Sequence, residues 1–435
     1  MSEMTHSDYF ACLLKSWSAK SDSSQSWVGQ LRAEAFDHVS AQHLPTKRDE
    51  DWRFTDISPL ARLPYKPSQP QDNLQAKEIE HLCLSEAKNR LVFVDGHYAP
   101  HLSIIADSKA LAIGNLPEFL STQAPVLQSH LAQYAKFDNN VFAALNTAFL
   151  RDAALIYVPK EVTIAEPIHL LFIATQNEVT NYPRCLLIGE TGSRVTLIED
   201  YVASEQIKYV TNSVTEISLA ANAQAKHVRI QRESEKAFHF ANCAVSLAHA
   251  SNYQSVSISL GSQLSRYNLD VRLIDEAAEC TIDGLTLIAN QQLADTHTCI
   301  DHVKPNGTSH QQHKCIVNDA AHAVFNGKII VRPHAQRTNS SQSSRNLLLS
   351  KTAQIDTKPQ LEIFADDVKC AHGATVGQLD HEEIFYLRSR GLSEQNARNL
   401  LTYAFGAEII NRIPISSLQQ QLEQIVLSQT QSNEL

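Results

Sequence analysis

The stretch Asp270–Ala289 reads "DVRLIDEAAECTIDGLTLIA". Two runs rich in aliphatic and β-branched residues flank a short break of acidic and small ones, a pattern that predicts strand, corner, strand. The unit recurs in "LLIGETGSRVTLIE" (186–199), "TEISLAANAQAKHVRIQ" (215–231) and "AVSLAHASNYQSVSISL" (244–260), with single runs "ALIYVP" (154–159), "KIIVRP" (328–333) and "LEIFA" (361–365) on either side. Anchors at Leu187, Leu219, Leu247, Leu273, Val317, Leu349 and Phe364 mark a loose repeat: several gaps are 26 to 32 residues, one is longer, and the last is about half as long. Such a period, with small-residue corners, suits a β-solenoid in which each coil stacks on the next. A β-sandwich would account for the same strands; the repeat favours the solenoid.

The flanks are different. "DYFACLLKSW" (8–17) and "SWVGQLRAEAFDHV" (26–39) carry apolar residues at helical spacing around the polar break "SAKSDSSQ" (18–25). The run "NRLVFVDGHYAPHLS" turns at Asp95-Gly96, a hairpin signal, and helical spacing returns over Leu116–Leu150. Three helices are expected after residue 380. Gly391 follows the first as a C′ glycine, Ser393 caps the second, and Ser417 caps the third. The expected division is therefore a mostly helical N-terminal part with a small hairpin (1–150), a solenoid core (151–380) and a helical C-terminal part (381–435).

With 435 residues and 43% hydrophobic content, the chain has ample material for a large core. A net charge of −10 argues against nucleic acid or an acidic membrane surface as a partner. The N-terminus lacks a signal-peptide pattern and no apolar run reaches membrane-span length, so a cytoplasmic protein is expected. Eight cysteines are spread singly with no C-x-x-C pair, which fits free thiols in a reducing compartment.

Catalytic signatures are missing. "GETGSR" (189–194) lacks a P-loop lysine, "NGKII" (326–330) lacks its earlier glycine and hydroxyl, and neither G-x-S-x-G nor H-E-x-x-H occurs. Polysaccharide-cleaving solenoids use acidic clusters, but Asp366 and Asp367 are adjacent and would face opposite sides of a strand. A carbohydrate-active enzyme stays an alternative. So does an autonomous metal-binding protein, because "DTHTCIDHVKPNGTSHQQHKC" gathers His297, Cys299, His302, His310, His313 and Cys315, although in no standard finger spacing.

Cys370 and His372, in "EIFADDVKCAHGATVGQLD" (362–380), would share one strand face about 6.5–7 Å apart, close enough for thiolate and imidazole to approach one metal. On chemistry alone the favoured reading is the ordinary one, with Cys370 as buried packing and His372 as a polar residue beside a turn at Gly373.

Several blocks resemble one family in the right order. "LEIFADDVKCAHGATVGQLD" with "EIFYLRSRG" resembles the C-terminal signature of the SufB/SufD family, scaffold subunits of the Suf iron–sulfur cluster assembly machinery, on its SufD side. "KRDEDWRFTDISPL" (47–60), "FAALNTAF" (142–149), "AEPIHLLF" (165–172), "AVFNGKIIV" (323–331) and "NLLLSKTAQIDTKPQLEI" (346–363) extend the resemblance along nearly the whole chain. It implies a right-handed parallel β-helix between helical ends, a non-enzymatic scaffold role, pairing with a SufB-like subunit, and docking of a SufC-like ABC ATPase through the C-terminal helices. It further implies that His372, with Cys370 beside it, stands at the interface where a nascent cluster or iron is held transiently, with no tightly bound cofactor. A homodimer of the isolated chain and a reduced flavin on the complex are left open.

Overall fold

Two long sheets face each other, and the chain crosses from one to the other at every half-coil. The computed structural model describes residues 7–17, 26–71, 73–106 and 111–431; the polar break at 18–25 lies outside them. The fold is mainly β, a parallel β-solenoid of about eight turns with helices towards both termini. In the first sheet the strands Val210–Leu219, Phe238–Leu247, Leu264–Leu273, Leu293–His302, His322–Val331 and Gln354–Ile363 stack in parallel. The second stacks Arg194–Ala203, Gln224–Arg232, Asn252–Ser259, Glu279–Ile288, Thr308–Val317, Thr338–Leu348 and Val368–Gly377.

The registers explain the irregular anchors. Leu219, Leu247 and Leu273 share one rung, which continues through His302, Val331 and Ile363. Val317 lies in the other sheet, against Ile288. The long gap after Leu273 is thus a rung filled by a buried histidine, which an aliphatic pattern cannot register.

The corners are more regular than the strands. Gly192, Asn222, Ala250, Ala277, Asn306 and Arg337 all have positive φ, between 51° and 71°. The first five each donate their N–H to the next coil's corner, at 2.8 to 3.1 Å: Gly192 to Ala221, Asn222 to His249, Ala250 to Glu276, Ala277 to Pro305 and Asn306 to Gln336. The residues that follow them (Ser193, Ala223, Ser251, Ala278, Gly307 and Thr338) are small or short, because each turns into the coil interior. Gly307 has a specific reason, since a Cβ there would press within 2.6 Å of the His302 ring.

Both faces of the sheets are covered over much of their length. Inside the coil, Leu197, Ile217, Leu219, Tyr253, Leu269 and Ile282 belong to one apolar core. On the outer face of the first sheet, Val214, Phe238 and Phe240 pack against Phe10, Val39 and Phe142 of the N-terminal helices. On the outer face of the second, Val228, Ile258, Leu285 and Ile316 pack against Ile409, Ile410, Leu418 and Leu422. Strands buried on both faces lose clean polar alternation, hence the continuous apolar runs in the sequence.

The hairpin forms as expected, with Asn89–Val94 against His97–Tyr98 and positive φ at Asp95 and Gly96. It extends the second sheet through Ile168–Ala174. Gly391 has φ +97° after the helix His381–Ser389, and Ser393 Oγ accepts the Asn396 N–H at 3.1 Å. The third expected cap is corrected. The last helix starts at Ser416, so Ser417 lies within its first turn, and Glu86 accepts both its N–H (3.0 Å) and its hydroxyl (2.6 Å). A helix N-terminus needs an acceptor, and here a distant carboxylate supplies it. Among the described residues no helix is long and apolar enough to cross a membrane.

Candidate functional site at the terminal coil

The strands Gln354–Ile363 and Val368–Gly377 end the two sheets, each paired on one side only. Inner strands are mostly buried, whereas these two are half-buried or exposed throughout. Ile363, Phe364 and Val376 expose 40%, 58% and 49% of their surface at this end. Unpaired edges with exposed apolar side chains invite pairing with another sheet. The last two helices lie along the outer face of the second sheet, held by Lys314 Nζ to the Phe405 carbonyl (2.8 Å) and by the Arg412–Asp283 ion pair.

Cys370 and His372 occupy this terminal strand. Cys370 pairs in register with Ser340 and packs, half-buried, against the coil's apolar core. Burial pushes its thiol up, partly opposed by a hydrogen bond involving the Ser340 backbone. His372 pairs with Gln342 and is exposed. The two side chains share the inward face of the coil (the parity of buried Ser340 and Gln342), yet no further coil covers them. They amount to two soft or borderline donors at an open end, and any further ligands would have to come from a facing surface.

The lumen below them is polar. Ser309, Gln311, Ser340, Gln342, Ser344 and Asn346 are all buried. They connect in short runs: His302 to Ser309 (2.9 Å), Ser309 to Ser340 (2.7 Å), Gln342 Nε2 to Gln311 Oε1 (2.9 Å), and Asn346 Nδ2 to the Thr375 carbonyl (3.0 Å). Sequence reasoning missed these residues; their signal was serine and glutamine at every second position in "TNSSQSSRN" (338–346), whose inward parity only the register reveals.

The six residues of the 297–315 segment are not brought together. His297 and Cys299 lie on the outer face of the first sheet, where His297 Nε2 is 3.0 Å from Asp295 Oδ1. Burial, with Asp270 and Asp301 adding to it, pushes the Cys299 thiol up to about 12. His302, His313 and Cys315 are inside the coil; burial lowers both histidines to about 4 and raises the Cys315 thiol to about 12. His313 stacks on Phe325 at 4.6 Å. His310 is exposed and bonds Ser341 Oγ at 2.8 Å. His297 and Cys299 share one face, as do His313 and Cys315, but the two faces belong to different sheets. Among the described residues, no group of three or more His, Cys, Asp or Glu side chains is placed to hold a metal ion.

The block Lys47–Leu60, a loop interrupted by the 3-10 helix Glu50–Trp52 and ending in the short helix Ser58–Ala61, lies along the outer face of the first sheet. Arg266 donates to the Asp51 carbonyl at 2.6 Å and lies 4.2 Å from the Trp52 ring, and Lys358 of the terminal coil meets Glu50 at 3.0 Å. Between this loop and the sheet runs a cleft of about 790 Å³ whose lining includes Trp52, Asp270, His297, Cys299 and Lys328.

The chain is a parallel solenoid flanked by helices, with an open last coil that carries a thiol and an imidazole, and it belongs to the SufBD family. The model of the SUF system FeS cluster assembly SufBD core domain matches residues 172–405, and that of the SufBD protein N-terminal region matches residues 4–170. Among relatives, the iron–sulfur cluster assembly protein SufD of Escherichia coli is 33% identical over 87% of this chain and 88% of its own length. An iron–sulfur cluster assembly SufBD family protein of Synechocystis is 40% identical over 96% of this chain and 94% of its own. SufD of Bacillus subtilis is 25% identical over 95% and 96%. A role in iron–sulfur cluster assembly follows from this kinship.

Proposed function

We propose that the chain is the SufD-type partner in a two-solenoid scaffold, joined through its terminal coil to a SufB-like subunit and carrying a SufC-like ATPase on its C-terminal helices. The observation that carries this reading is the open end itself: two unpaired edge strands, exposed apolar residues, and His372 between them. A second solenoid laid against these edges would pair their free N–H and C=O groups and shield the thiol of Cys370 from oxidants. His372 and Cys370 would then face donors from the partner across the joint, where iron or a nascent cluster is held as cargo. A neutral imidazole offers iron a lone pair, and a thiol gives up its proton when a metal takes its place.

The helices His381–Ser389 and Glu394–Ile410 expose Phe385 (72%), Tyr386 (56%) and Leu400 (44%), a surface suited to the ATPase. Tagged full-length chain is expected to bring down both partners, and a chain ending at Asp380, which lacks all three of these residues, to bring down the SufB-like subunit alone. Retention of the ATPase by the truncated chain, or failure of the full chain to retain a second solenoid subunit, would contradict the assignment.

A further inference from the structure

Gln342 has an amide oxygen with no partner. The side chain is 3% exposed, and its Nε2 donates to Gln311 Oε1, which is tied in turn to Thr298. On the facing sheet Gly327 leaves the room the amide occupies, since a Cβ there would collide with it. The amide is therefore held on two sides while Oε1 is buried and makes no hydrogen bond. Such an orphan is costly, and native interiors seldom keep one.

Its neighbour in register on the terminal coil is His372, one strand spacing (about 4.8 Å) away on the same face. We propose that Gln342 Oε1 accepts the N–H of one His372 ring nitrogen once the terminal coil is covered, leaving the other nitrogen unprotonated and turned to the joint. The proposal rests on the reading of His372 given above. A neutral imidazole has one N–H, and the nitrogen that gives it away is settled by its acceptor, which leaves the second lone pair available to a metal. Gln342 is thus a positioning residue: it acts through His372 and touches no cargo.

The test is nitrogen-15 NMR of histidine-labelled full-length chain in its complex with the second subunit and the ATPase, with His372 assigned by subtraction against His372→Gln. A single tautomer is expected in the wild type and in Gln342→Glu, which keeps an acceptor, and a mixture in Gln342→Met. Cluster formation on the Gln342→Met complex should fall by about tenfold or more, with assembly unchanged. A tautomer mixture in the wild-type complex, or a single tautomer unchanged in Gln342→Met, overturns the proposal. The wild-type spectrum decides even if Gln342→Met fails to fold. If the tautomer follows Gln342 while His372→Ala leaves cluster formation intact, the positioning stands and the reading of the site fails.

Discussion

Arg266 and Asp295 are register partners on neighbouring strands of the first sheet and meet at 2.6 Å, with the Thr55 hydroxyl of the N-terminal segment bonded to the same carboxylate. Both side chains are almost fully buried. Burial alone would raise the Asp295 carboxyl, but Arg266, His297 and Thr55 hold it down at about 2. Removing one partner of a buried pair strands the other charge, so Asp295→Ala should cost about 3–5 kcal/mol. It should also free the loop 47–60 to protease. Denaturant midpoints and limited proteolysis check this; a loss below about 1 kcal/mol would show that the pair does not anchor the loop.

Gly284 faces the His313 ring inside the coil, and a Cβ there would collide with it. The ring is buried and stacked on Phe325, so it has nowhere to go. Gly284→Ala is expected to destabilise the chain by about 1–3 kcal/mol, read from thermal unfolding. An unchanged melting temperature would mean that the coil repacks freely.

Acid should unfold the solenoid through His302 and His313. Burial lowers both from 6.5 to about 4. Between those values the unfolded chain takes up protons that the folded chain refuses, so stability is full above about pH 6.5 and falls as pH drops towards 4. The loss is on the order of 3 kcal/mol for each residue. His302→Leu, which restores the leucine of its rung, should flatten the slope over this window; an unaltered slope would assign the titration elsewhere.

Glu86 ties the N-terminal part of the chain to the last helix through Ser417. Burial would raise its carboxyl, but those bonds outweigh it and hold it near 2. Glu86→Ala should weaken the first turn of that helix by about 0.5–2 kcal/mol. Hydrogen exchange should then quicken in 416–431 and stay unchanged in the strands; uniform quickening would mean that the cap supports the whole fold.

Much of this architecture was legible. Apolar runs at a loose period pointed to coils, and the turn at Asp95-Gly96, the helix stop at Gly391 and the cap at Ser393 were where the residues put them. The period itself was blurred because aliphatic anchors mixed two sheets and passed over His302. The better signal was a residue tolerant of positive φ followed by a small one, at 192, 222, 250, 277, 306 and 337, but alanine and arginine at such positions do not announce themselves. The 297–315 cluster shows the opposite failure: density in sequence is not proximity when successive side chains alternate faces and the chain changes sheets. Cys370 and His372 were paired by their spacing and given an expected role by family resemblance, whereas Gln342 needed the register.

In the proposed function, His372 serves cluster formation at a joint between two solenoids. Its most direct test is anaerobic reconstitution of the purified complex with iron and sulfide, comparing wild type with His372→Ala by absorbance and bound iron. The variant complex is expected to assemble with full stoichiometry yet hold little iron and develop little cluster absorbance. Equal iron and absorbance in the two complexes would contradict it, and loss of the complex itself would make His372 a structural residue instead.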